Sequence, residues 1–80
     1  MTLADERENL AKAERDISAG ERRVAAQEVL VERLRRDGHS VREAEGLLLT
    51  LRQTLTAWMG HRDEILRQIA RLERDAAARA

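Results

Sequence analysis

From Val41 onward the apolar residues recur at alternating spacings of three and four: Val41, Ala44, Leu48, Leu51, Leu55, Trp58, Ile65, Ile69, Leu72 and Ala76. This is a heptad repeat, with Val41, Leu48, Leu55, Arg62, Ile69 and Ala76 at a, and Ala44, Leu51, Trp58, Ile65 and Leu72 at d. Arg62 alone breaks the stripe. The pattern predicts one helix over about 41–78, roughly 58 Å long at about 1.5 Å per residue. The alanine-rich end, Asp75 to Ala80, is expected to fray. Such a rod cannot bury its own stripe, so something must lie along it.

The same beat runs upstream through Leu3, Leu10, Ile17, Val24 and Val31, predicting a first helix over about 3–37. Its d positions, Glu6, Ala13, Gly20, Gln27 and Leu34, are small or polar until the last, and its e positions Arg7, Glu14, Glu21 and Glu28 are charged. Thr2 followed by Asp5 approaches a capping box, and Glu6 and Glu8 suit the positive end of the helix dipole. A helix start so near residue 1 is expected of a complete chain. Gly20 costs about 1 kcal/mol against alanine in a helix interior. Either the helix bends there, or a large side chain needs the space, and Trp58 lies about as far from the turn.

Arg35-Arg36-Asp37-Gly38 reads as a helix end, with Gly38 left-handed at C′. Ser40-Val41-Arg42-Glu43 reads as a new capping box, with Ser40 as N-cap. A stop and a start so close together predict an antiparallel αα-hairpin with its turn at 38–40 and His39 solvated within it. The expected architecture is all-α: one coiled-coil-like hairpin domain over 1–80, with two hairpins forming a four-helix bundle. One hairpin has one seam, so Leu30, Leu47, Leu49, Met59 and Leu66 would stay wet without a second copy. Association is expected to rest on Leu47, Leu48, Leu51, Leu55, Trp58, Met59, Arg62, Ile65, Leu66 and Ile69. Arg62 at a either specifies register or lays its methylenes on the seam while its guanidinium reaches water.

Composition narrows the function. The 80 residues carry 15 basic and 15 acidic side chains, so no net charge draws the chain to nucleic acid or anionic lipid. There is no cysteine, which excludes disulfides, thiol catalysis and thiolate metal sites, and no proline. The longest apolar run is Leu47-Leu48-Leu49, far short of a membrane span, and the polar start does not read as a signal peptide. A soluble cytoplasmic protein is expected.

Candidate chemistry is sparse. His61 and Glu64 share a helix face, but di-iron bundles place the glutamate three residues before the histidine, and zinc needs more ligands. His61-Arg62-Asp63-Glu64-Ile65-Leu66 resembles the phosphoacceptor box of histidine kinase dimerisation domains only loosely. There the histidine usually sits on the first helix, an acidic residue follows it, and a proline closes the box. Arg33, Arg35 and Arg36 fit compensation of a helix end better than a phosphate grip. With Trp58 the one aromatic, base stacking has little to work with.

The segments Ala13-Glu14-Arg15, Gly20-Glu21-Arg22-Arg23, Arg33 to His39 and Ala44-Glu45-Gly46-Leu47-Leu48 resemble short uncharacterised helical-hairpin proteins of bacteria. The resemblance spans Leu10 to Arg71, and the turn is its most specific part. It implies the fold and a complete chain, with no assigned activity. The expected function is a non-enzymatic protein–protein interaction module without cofactor, metal or small-molecule substrate. Its expected partner is itself or another helical protein. The rival readings are a nucleic-acid-binding regulator and a phosphotransfer protein using His61.

Overall fold

Thr2 begins the first helix by closing its first turn. Its Oγ1 accepts from the Asp5 amide at 3.1 Å, and the Asp5 carboxylate accepts from the Thr2 amide at 3.1 Å. Both halves of the expected capping box are therefore formed. The computed structural model, which describes residues 1–80, contains two helices, α1 (Leu3–Arg36) and α2 (Arg42–Arg79), folded into a hairpin. The rod measures 65 × 15 × 14 Å. No helix is long and apolar enough to cross a membrane.

The turn is a Schellman motif. Asp37 is the C-cap, and Gly38 takes the left-handed position at φ 75°. The His39 amide donates to the Leu34 carbonyl at 2.9 Å and the Gly38 amide to the Arg35 carbonyl at 3.2 Å, satisfying two carbonyls the helix end leaves open.

The entry to α2 differs from the expected capping box. The first bond of α2 runs from the Glu45 amide to the Val41 carbonyl at 2.8 Å, which makes Val41 the N-cap. Glu43 therefore falls at N2 instead of N3. The Ser40 hydroxyl accepts only a long bond, 3.4 Å, from the Arg42 amide. The helix boundaries shift with it: α1 stops at Arg36 and α2 begins at Arg42. At the other end α2 continues through the alanine-rich tail to Arg79.

The seam follows the two heptads. Ala13, Ile17, Val31, Leu48, Ile65 and Ile69 are its buried apolar residues, and Leu3 and Leu10 close over the group of Ala13, Ile65 and Ile69. The d row of α1 is the deeper of its two. Glu6, Ala13, Gly20 and Gln27 are buried and Leu34 half-buried, whereas at a only Ile17 and Val31 are buried and Leu3, Leu10 and Val24 are half-buried. A short side chain beneath a longer one from the facing helix is well covered, which is how a small and polar row comes to be buried.

Replacing Gly38 by valine should cost about 1 kcal/mol or more, because a β-branched residue is strained at positive φ. Urea denaturation of Gly38→Val against wild type measures it. A second expectation concerns Asp5, whose carboxyl is held below the ordinary carboxylate value by hydrogen bonds from the Thr2 amide and hydroxyl and by the N-terminal charge. A lowered folded value gives stability that is present above the unfolded value of about 4 and is lost as pH falls through the folded one. An NMR titration of Asp5 should find the lowered value, and Thr2→Ala should return it towards normal.

Candidate interaction surface

Every glycine but Gly20 has open space where a side chain would stand. A Cβ at Gly20 would lie 3.2 Å from Leu55 Cδ1 and 3.3 Å from Trp58 Cζ3. Of the two readings of Gly20, the structure therefore takes the second: Leu55 and the Trp58 indole of α2 together occupy the space its missing side chain leaves. Trp58 is nevertheless only half-buried, because α1 covers one side of the ring.

Seven residues above this level, Gln27 makes the one hydrogen bond that joins a side chain of one helix to the backbone of the other. Its Nε2 donates to the Ala44 carbonyl at 2.9 Å. The heptad marked Gln27 as a seam position but could not supply the partner. Arg62 lies half-buried at its a position, with Nε 3.6 Å from the Asp63 carboxylate. A half-buried side chain whose charged end meets an exposed carboxylate is compatible with the second reading of this residue.

The residues expected to carry association divide by depth. Leu48, Ile65 and Ile69 are buried within the hairpin, and Leu51, Leu55, Trp58, Met59 and Arg62 are half-buried. Leu47 and Leu66 are 50% and 44% exposed, and Leu30 and Leu49 are exposed with them. Met59 is drier than expected: its e position borders the seam, and an unbranched side chain can lie along it.

The two flanks of the seam differ in charge. On one, e positions face each other through Arg7–Glu73 at 3.4 Å, Glu28–Arg52 at 3.7 Å and Arg35–Glu45 at 2.8 Å. A cleft on this flank has Val31, Leu48 and Leu49 as its floor and Glu28, Glu32, Arg35, Glu45 and Arg52 around it. Those charges are paired, with Glu32 also 3.2 Å from Arg35, and the three glutamates against two arginines leave one negative charge over. A second depression lies on α2 alone, among Glu64, Arg67, Ala70, Arg71 and Arg74. The opposite flank carries the g positions, where Leu30 and Leu47 stand.

His39 and His61 are exposed and far apart along the rod, His39 in the turn and His61 on α2. No three histidine or acidic side chains cluster as metal ligands would. Comparison with family models, curated proteins and solved structures returns no match to the chain.

Gly20→Leu puts the Gly20–Trp58 packing to the test. The larger side chain must displace the indole, so destabilisation of about 1–3 kcal/mol is expected, with Trp58 emission shifted to longer wavelength. Chemical denaturation followed by fluorescence reads both, and unchanged emission and stability would place Trp58 elsewhere.

Proposed function

We propose that the chain is a non-enzymatic interaction module of the cytoplasm that works as a helical-hairpin homodimer. The observation that carries this reading is the surface left over after the hairpin has formed. The single hairpin exposes 6018 Å² at 9.1 kDa. A compact monomer of that mass exposes about 4,900 Å². The excess, about 1,100 Å², exceeds the roughly 800 Å² that each partner buries in a standard interface. Leu30, Leu47, Leu49 and Leu66 are part of that surface. A second copy supports this reading well because an apolar, charge-balanced surface matches itself without an opposing field.

If folding and assembly are coupled, the melting temperature must rise with protein concentration by mass action. Thermal unfolding followed by circular dichroism over a hundredfold range of concentration, with sedimentation equilibrium for the mass, is the test. The reading expects a rising midpoint and twice the 9.1 kDa chain mass. A fixed midpoint with the mass of one chain would overturn it.

A further inference from the structure

Resting on that reading, we infer that the copies meet through the g flank, about a two-fold axis parallel to the rod, with both turns at the same end. The choice of flank follows from charge. On the e flank, from Arg7 to Arg35 and from Glu45 to Glu73, eight of ten e positions are charged and only Met59 and Leu66 are not. Six of those eight are already joined in the three cross-helix pairs. A copy docked there would strip water from all of them, and the desolvation cost of buried charge exceeds what such pairs return.

The g flank carries less of this barrier, with one ion pair, Lys12–Asp16, at its edge. The register that sets Glu28 against Arg52 and Arg35 against Glu45 also sets Leu30 across from Leu47, Arg23 from Thr54, Asp16 from His61 and Asn9 from Gln68. With Thr2 and Asp75 at the open end, three of these ten g positions, Asp16, Arg23 and Asp75, are full charges, against eight of ten at e. Among the neighbouring c positions, Ala19, Ala26, Thr50 and Ala57 form a small central stretch that allows close approach of helices, while Asp5, Lys12, Arg33, Glu43, Glu64 and Arg71 above and below it are charged. Leu51 and Trp58, both half-buried at d, border this flank, so a second hairpin there would complete their burial. The flank's outline, 65 by 15 Å, is larger than the about 800 Å² per partner of a standard interface.

The pairing also selects the axis. A two-fold parallel to the rod lays each α1 on the α2 of the other copy, antiparallel as within the hairpin. It puts Leu30 on the partner's Leu47, Arg23 on the partner's Thr54, Asp16 on the partner's His61 and Asn9 on the partner's Gln68. Leucine meets leucine, amide meets amide, and the carboxylate meets an imidazole. Rods laid head to tail would instead bring the leucines down at the level of Asn9 and Gln68.

The test uses the full chain. Leu30→Glu/Leu47→Glu alters the g flank, and Leu49→Glu alters the other; all three leucines are exposed in the hairpin, so each variant should stay helical. Sedimentation should show the double variant weakened in self-association by at least about tenfold and Leu49→Glu unchanged. The absence of cysteine allows a nitroxide on His39→Cys in the otherwise unaltered chain. Pulsed dipolar spectroscopy should then give a label separation of the order of twice the 15 Å rod width, not one approaching its 65 Å length. Dimers that survive the double variant, or labels near the full length apart, would overturn this arrangement while leaving the dimer intact. A wild-type chain that stays monomeric would remove the dimer itself, and the arrangement with it.

Discussion

The d row of α1, small at Ala13 and Gly20, is the constraint on which the hairpin depends. Two helices that both presented leucine at every seam position would stand further apart and meet in one thin line. Here α1 presents Ala13, Gly20 and Gln27, and α2 answers with Ile65, Ile69, Leu55 and Trp58. Large side chains thus enter spaces left by small ones, which is the condition for dense packing. The cross-helix ion pairs look like the fasteners but are the weaker part. Their side chains are about half-exposed, and such pairs contribute roughly 0–1 kcal/mol each. Burying one leucine or isoleucine contributes about 1.5–3 kcal/mol. Packing therefore sets the register, and the ion pairs and the Gln27–Ala44 bond agree with it.

That register was legible because heptads are periodic on both helices. Leu48, Ile65 and Ile69 could be placed on the seam from spacing alone, and Gly20 could be matched to Trp58 from distance to the turn. Gly38 was legible because few residues adopt its φ. The start of α2 was not, because Ser40 and Glu43 have capping-box spacing wherever the helix begins. The choice of Val41 as N-cap depends on how the Schellman turn delivers the chain, which no local motif records. Depth of burial was also hidden. Glu6 and Gln27 are buried although their types favour water, because depth depends on what the facing helix lays across them. Met59 was expected to be wet for the converse reason.

A single seam has a further consequence. Each helix has only one neighbour, so even the best-placed residue, Trp58, is covered from one side. Nothing within the chain can cover the other side, since both helices already run the length of the rod. The remaining apolar surface is thus a product of the architecture and not of any one residue. A second hairpin laid alongside relieves it along the whole of one flank, whereas a small ligand would relieve it at one level.

The central claim is that hairpins associate along their sides, and small-angle scattering tests it most directly. Side-by-side association should double the scattering mass and thicken the cross-section while the maximum dimension stays close to the 65 Å of one rod. A particle of one chain's mass, or one approaching twice that length, would contradict it.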